Sequence, residues 1–192
     1  MLDQDVIVAA AREAFVDRGR IEVGELAAGL GVNRSTLYRR FRGRDGLLAE
    51  VIWSMADLAL DTAYRRSTGV GAAKIVDTLG EFAAIANRDV NFRGFLTREP
   101  ERALKLMTTW DGGVQPRIVG RVAEVVVEQT DAGHLRPSLP VDDLALILVR
   151  ITETFVYANL ITGEEPDAAK VRQACAAMLG AAPASATMGR AS

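Results

Sequence analysis

Residues 29–41 read GLGVNRSTLYRRF, an order of residues that is typical of a tight turn followed by a short helix. Gly31 suits the turn because glycine adopts a positive φ angle without steric cost. Asn33 is a favourable cap for the helix that follows. Val32 and Leu37 stand on either side of that cap, where an apolar pair fixes the angle of the emerging helix. The run therefore predicts the turn and second helix of a DNA-binding helix-turn-helix.

The helix after this turn has one apolar face and one polar face. Leu37 and Phe41 are four residues apart and are expected to face inward. The residues left on the outer face are Arg34, Ser35, Tyr38 and Arg39. Such a face suits a major groove, because an arginine can bond both acceptors of a guanine and hydroxyl groups can bond bases or phosphates. The alternative is an arginine-rich surface helix that contacts only solvent.

Positive charge is concentrated beside this helix, although the whole chain carries a net charge of -2. Five arginines fall between positions 34 and 44, and the first acidic residue after them is Asp45. Local charge decides nucleic-acid binding more than the total does. We expect Arg40 and Arg44 to contact phosphates at the edges of the recognition helix. The amide groups after Gly43, where the next helix opens, can also meet a phosphate.

The apolar periodicity is helical along the whole chain, which predicts an all-α protein. In the first part the pattern predicts helices over 3–18, 23–30 and 34–41 and a long helix over 46–66. In the second part Pro and Gly separate helices expected at 72–87, 89–96, 100–110, 115–131, 141–162 and 167–180.

These helices predict two domains in the chain of 192 residues. Residues 1–46 form a three-helix head for DNA binding, and residues 47–180 form a larger helical bundle for effector binding and dimerisation. The last residues, 181–192, are small and polar and are expected to be a disordered tail.

Composition argues against several other classes of protein. No segment reaches the roughly 20 apolar residues that span a bilayer, and the acidic start is unlike a signal peptide, so we expect a cytoplasmic protein without a membrane partner. Cys175 and His134 are the only residues of their kinds. We therefore expect no disulfide, no catalytic Ser-His or Cys-His pair, no metal site and no cofactor. The chain is not expected to be an enzyme.

An apolar helix in the second domain carries polar side chains that need an explanation. Arg150, Glu153 and Tyr157 lie three and four residues apart, so they share a helical face and can bond to one another. Charges in so apolar a helix are costly unless they are paired. The pattern fits either the polar anchors of a ligand cavity or a paired group at a subunit interface. Aromatic and sulfur-containing residues elsewhere in the domain fit either a cavity wall or plain core: Phe92, Phe95, Met107 and Trp110.

The head resembles the DNA-binding domain of TetR-family regulators over residues 7–52. The resemblance lies in the run Gly-Val-x-x-x-Thr-x-Tyr-x-x-Phe, here 31–41, and in RDGLL at 44–48. By resemblance, the residues that face the operator are Arg34, Ser35, Thr36, Tyr38 and Arg39. Tyr38, Arg40 and Arg44 are the corresponding phosphate contacts.

Three positions depart from the family pattern. Arg40 stands where histidine or an aromatic residue is usual, and Arg44 stands where lysine is usual. Glu22 replaces the Ser or Thr that caps the second helix and touches a phosphate. Glutamate there suits the helix dipole but repels DNA. The alternative function is therefore a helical effector-binding or interaction protein with weakened DNA binding.

The second domain resembles the QsdR-type branch of the family, the regulators of quorum-signal lactone degradation. The matching segments are 95–101, 114–117, 149–158 and 161–167. The resemblance implies dimerisation through the last two helices and a pocket for a small effector, such as an acyl or γ-lactone. The candidate pocket residues are Phe92, Phe95, Met107, Trp110, Arg117, Arg150, Glu153 and Tyr157. The sequence thus predicts a homodimeric repressor that an apolar effector releases from a palindromic operator.

Overall fold

The computed structural model describes residues 2–181, and within that range every regular element is a helix, as the periodicity predicts. The elements are α1 (Gln4–Arg18), α2 (Val23–Gly29), α3 (Arg34–Arg40), α4 (Arg44–Arg66), α5 (Ala72–Arg88), α6 (Val90–Arg98), α7 (Pro100–Thr108), α8 (Val114–Asp131), α9 (Val141–Val156), α10 (Ala158–Ile161) and α11 (Ala168–Met178). The predicted disorder of the tail concerns residues that lie outside this range, apart from Ala181. None of the helices described is long and apolar enough to cross a membrane.

The first three helices pack against the start of α4 and form the head. Ile7 and Phe15 of α1 and Leu37 of α3 are almost completely buried. Gly19 ends α1 in the left-handed conformation, with a φ of 68°, which glycine adopts at little cost. Short helices thereby surround one small apolar core.

The helix α4 belongs to both parts of the molecule. Its early residues Leu47 and Val51 are buried with the head, and its later residues Leu60 and Ala63 are buried in the body. At about 1.5 Å per residue, its 23 residues extend for roughly 35 Å. In the body, α5 packs against α4 and α11, and α8 packs against α4 and α9.

Three features of the helix ends differ from the sequence expectation. The helix expected over 141–162 is interrupted at Tyr157, whose φ is -101° and ψ is 16°. The carbonyl of Val156 accepts a hydrogen bond from Arg93 Nη1 at 2.8 Å, so a side chain of α6 satisfies it where the next helical turn would have done so. Asn33 stands at the start of α3, as predicted, but its side chain makes no capping hydrogen bond. Helix α4 begins two residues early, after Gly43.

Gly46 permits a close approach that no other residue would permit. A Cβ atom added there would lie 1.7 Å from the carbonyl oxygen of Phe41. The chain between α3 and α4 therefore folds back onto the first turn of α4.

We predict that Gly46→Ala lowers the free energy of unfolding by about 1 to 3 kcal/mol, the usual cost of overpacking a site that must shift. The matched control is Gly29→Ala, because a Cβ at Gly29 meets nothing within 4 Å. That variant should gain about 0.4 to 1 kcal/mol. Urea denaturation of both proteins measures the difference, and equal stabilities would contradict this packing.

Candidate DNA-binding helix and effector cavity

The outer face of α3 is open to solvent. Arg34, Ser35 and Arg39 are exposed, whereas Leu37 and Phe41 are buried beneath them. Thr36 is half-buried. The helical spacing therefore places the polar residues outward, where a duplex can reach them.

Arg34 and Tyr38 contact each other along this face. Arg34 Nη2 donates a hydrogen bond to Tyr38 Oη at 2.8 Å, and the guanidinium carbon lies 5.1 Å from the centre of the ring. The two side chains start one helical turn apart, and the hydrogen bond and the cation–π contact hold them together on the exposed surface.

The two flanking arginines make contacts within the protein. Arg40 is half-buried, and its Nη1 donates to the carbonyl oxygen of Leu2 at 2.6 Å. Arg44 Nη2 lies 3.8 Å from Glu99 Oε1, which precedes α7. The sequence predicts a phosphate contact for each of these guanidinium groups but does not indicate the partners Leu2 and Glu99, because both lie far from the arginines in sequence.

Glu22 is placed beside a cation. Its Oε1 lies 3.3 Å from Arg20 Nε at the start of α2. Both side chains are at least half exposed, so the pair is worth little to stability. It does reduce the repulsion that a lone carboxylate at this position would exert on a phosphate.

The body contains a partly open apolar cavity of about 80 Å³. Three of the predicted pocket residues line it: Phe92, Met107 and Tyr157. An adjoining cavity of about 30 Å³ shares Phe92 and Tyr157 and reaches Glu153. The other wall residues include Ile52, Met55, Phe82 and Ile118. Sequence reasoning missed them because apolar residues at helical spacing look the same in a cavity wall and in a solid core.

The structure places four other predicted pocket residues away from this cavity. Phe95 packs edge to face on Phe15, with ring centroids 6.0 Å apart. Trp110 is 81% exposed after α7. Arg117 bonds Glu50 and lies over the ring of Trp53 on the surface. The side chain of Arg150 is half exposed at the edge of α9.

Glu153 carries a buried carboxylate that two neighbours hold in place. Gln115 Nε2 donates to its oxygens at 3.0 and 3.2 Å, and Arg150 Nη1 donates to Oε2 at 2.8 Å. Burial raises the pKa of Glu153, while the bonds from Gln115 and the charge of Arg150 oppose that rise. The expected link between Arg150 and Glu153 is therefore present.

Tyr157 does not join this pair. Its buried hydroxyl points toward Met107 Sδ at 3.7 Å, and a thioether is only a weak acceptor. Burial raises the pKa of Tyr157, so the hydroxyl keeps its proton. The cavity wall thus carries a hydroxyl donor, that of Tyr157, whose partner Met107 Sδ is a weak acceptor.

Two families of known domains match the chain. Residues 7–51 match the family described as bacterial regulatory proteins, tetR family. Residues 70–180 match the family described as tetracyclin repressor-like, C-terminal domain. Together these matches cover both the head and the body.

Individual relatives agree with these matches. The chain is 25% identical over 179 residues to the HTH-type transcriptional regulator EthR of Mycobacterium tuberculosis, covering 86% of this chain and 79% of that protein. The solved structure of the TetR-family transcriptional repressor QsdR of R. erythropolis has a TM-score of 0.85 and 26% identity, covering 95% of this chain and 99% of that one. The fatty acid degradation regulator FadR of Bacillus halodurans shares the fold, with a TM-score of 0.57, 17% identity and coverages of 93% and 98%.

We predict that Glu153→Gln becomes more stable relative to the natural protein as the pH rises above 4.5, the ordinary pKa of a glutamate. The raised pKa means that the folded state holds the Glu153 proton more tightly than the unfolded chain does. The natural protein therefore loses stability as that proton leaves, whereas glutamine does not titrate. Urea denaturation at pH 4.5, 5.5 and 7 measures this difference.

The control is Glu101→Gln, which removes the same charge from the exposed start of α7. A stability difference for Glu153→Gln that stays constant with pH would show that burial does not govern this carboxylate.

Proposed function

Because this chain belongs to the TetR family of bacterial regulatory proteins, which are DNA-binding transcriptional regulators, we propose that it is a homodimeric repressor released by a small apolar effector. The observation that carries the proposal is the exposed polar face of α3 on a buried apolar base. Arg34 and Arg39 read bases from this face, with Ser35, Thr36 and Tyr38 beside them. Arg40 and Arg44 contact the DNA backbone.

The operator follows from the symmetry of a dimer. Two copies place their α3 helices in successive major grooves about 34 to 36 Å apart. A twofold dimer requires a site that is itself close to a palindrome.

The dimer forms through α9 and α11. On α9, Ile147, Ile151 and Phe155 are only half-buried and follow one another at a spacing of four residues, and Leu146 beside them is 41% exposed. A second copy of the chain covers this apolar stripe, which would otherwise remain in contact with water.

The effector enters the apolar cavity and must widen it. A cavity of about 150 Å³ holds one benzene molecule, and this one measures about 80 Å³. Its walls include Met55 of α4 and Phe92 of α6. An effector therefore displaces helices that also contact the head.

Helix α6 carries that displacement to the head through two hydrogen bonds. Asn91 Nδ2 donates to the carbonyl oxygen of Val16, and Arg98 Nη2 donates to that of Gly19, both at 2.5 Å. A movement of α6 changes the position of the head and hence the spacing of the two α3 helices. Couplings of this kind amount to about 1 to 3 kcal/mol.

The cavity favours an apolar molecule with one hydrogen-bond acceptor. The walls are apolar apart from two residues. The Asp89 carboxylate already accepts hydrogen bonds from the backbone amides of Asn91 and Phe92, whereas the Tyr157 hydroxyl lacks a strong acceptor. A γ-lactone or another acyl lactone offers a carbonyl oxygen to that hydroxyl and a hydrocarbon chain to the walls.

The function is tested by selecting binding sites from random DNA with the purified protein, followed by gel shifts with and without γ-decalactone. We expect enrichment of a pseudo-palindrome and release of the complex by the lactone. A lack of enrichment at low salt would contradict the repressor and favour the alternative, a helical effector-binding protein with weakened DNA binding.

We predict different effects for two arginines of the head. Arg39→Ala should reduce discrimination between operator and mismatched DNA by about 1 to 3 kcal/mol, because a base contact is lost. Arg44→Ala should weaken binding to all sequences alike and reduce the salt slope by about one. The control is Arg88→Ala, an exposed arginine of the body. Gel shifts at several salt concentrations separate the three proteins, and identical curves for Arg39→Ala and Arg44→Ala would contradict the assignment.

We also predict that Leu146→Arg converts the dimer into monomers, because it places a charge beside the α9 stripe, in the interface that the stripe forms. Light scattering during gel filtration measures the mass in solution. Val127→Arg is the matched control, since Val127 on α8 is 42% exposed and lies outside the proposed interface. A Leu146→Arg protein that remains dimeric would place the interface elsewhere.

A further inference from the structure

A second cavity, larger than the apolar one, opens between α4, α5 and α8. Its volume is about 190 Å³. On α4 it is lined by Leu60, Asp61 and Tyr64, which come directly after Ala59, the last residue of α4 that lines the apolar cavity. The buried side chain of Leu79 stands between it and the smaller apolar space. The cavity is therefore a separate compartment of the body.

The floor and the mouth of this compartment differ in chemistry. Buried apolar side chains form the floor: Leu60, Ile75, Leu79 and Val122. Polar side chains surround the mouth: Asp61, Tyr64, Arg121, Glu124 and Glu128. A ligand that fits both regions has an apolar body and a polar group at one end.

Most charges at the mouth are paired within the protein. Asp61 pairs with Arg65, and Arg121 lies 3.0 Å from Asp57 and 2.9 Å from Glu124. Lys74 bonds the carbonyl oxygens of Tyr64 and Ser67 and covers one face of the Tyr64 ring. Among the carboxylates at the mouth, that of Glu128 takes part in none of these ion pairs.

Glu128 accepts hydrogen bonds from two neutral groups. The donors are the Tyr64 hydroxyl and Gln129 Nε2, the second at 3.2 Å. Among residues 2–181 no cationic side chain lies within 4 Å of its oxygens. The Tyr64 bond holds the carboxylate at the mouth, and the pKa of Tyr64 is raised by that same bond. Glu128 thus presents a fixed negative charge at the entrance.

The complementary ligand is an organic cation and not a metal ion. In the part of the chain that the structure describes, no three His, Cys, Asp or Glu side chains are grouped closely enough to hold a metal. The apolar floor also needs a hydrocarbon partner. Since about 150 Å³ accommodates a benzene ring, 190 Å³ accommodates a ring with one aminomethyl group.

We propose that this compartment binds a small organic ammonium ion of about the size of benzylammonium. Its ring contacts Leu60, Ile75 and Val122, and its ammonium group donates to Glu128. This ligand differs in charge from the uncharged effector proposed for the apolar cavity, so the body has two sites of different specificity.

Calorimetric titration of the full-length protein with three ligands of matched size tests the proposal. Benzylammonium should bind, benzyl alcohol should bind at least about tenfold more weakly, and benzoate should bind most weakly, because only the first forms a charge-assisted hydrogen bond with Glu128. Glu128→Gln should reduce the affinity for benzylammonium about tenfold and leave that for benzyl alcohol unchanged. The matched control Glu101→Gln removes an equal charge on α7 and should change neither affinity.

A further variant tests whether benzylammonium binds in this compartment or in the apolar cavity. Ala86→Leu fills the apolar cavity, where Ala86 is half-buried, and should leave benzylammonium binding intact. Three results would each overturn the proposal: equal affinities for the three ligands, unchanged benzylammonium binding by Glu128→Gln, or loss of that binding in Ala86→Leu. Circular dichroism verifies that each variant is folded. No DNA enters this experiment, so its failure is distinct from a failure of the repressor proposal.

Discussion

The continuity of α4 is the constraint on which the rest of the structure depends. Its first turns complete the core of the head, and its last turns lie against α5 and α8 in the body. The same helix carries Leu47 in the core of the head and Leu60 in the core of the body. Neither core can therefore move along the axis of α4 without the other. Met55, between them, lines the apolar cavity. In the proposed function, the position of α3 is thereby tied to the volume of that cavity.

Charged groups reinforce the same junction. Arg102 lies 3.0 Å from Asp45 and also pairs with Glu99, which in turn approaches Arg44. These side chains are about one third to one half exposed, so their contribution to stability is small. Their main effect is on geometry, because they connect the first turn of α4 to the segment between α6 and α7. In the proposed function, a phosphate that binds Arg44 competes with Glu99, and this competition couples DNA binding to the body.

Residue spacing within a single helix predicted its structure well, whereas contacts between residues far apart in the sequence could not be predicted. The spacing of Leu37 and Phe41 was sufficient to orient α3, since the period of a helix fixes which residues share a face. The break at Tyr157 could not be predicted, because it depends on Arg93 reaching Val156 from another helix. The exposure of Trp110 and the surface contacts of Arg117 were equally inaccessible. Cavity walls depend on which helices meet, and the apolar pattern of each helix does not contain that information.

The most direct test is the distance between the two heads of the proposed dimer, measured by pulsed electron spin resonance. Spin labels at Arg42→Cys, in a Cys175→Ala background, report the positions of the exposed residue that follows α3. We expect one narrow distance distribution on the selected operator and a shifted distribution when γ-decalactone releases the DNA. Ala86→Leu, which fills the apolar cavity, should abolish the shift. Release of DNA by the lactone with an unchanged distribution would contradict the coupling of cavity and head through α4.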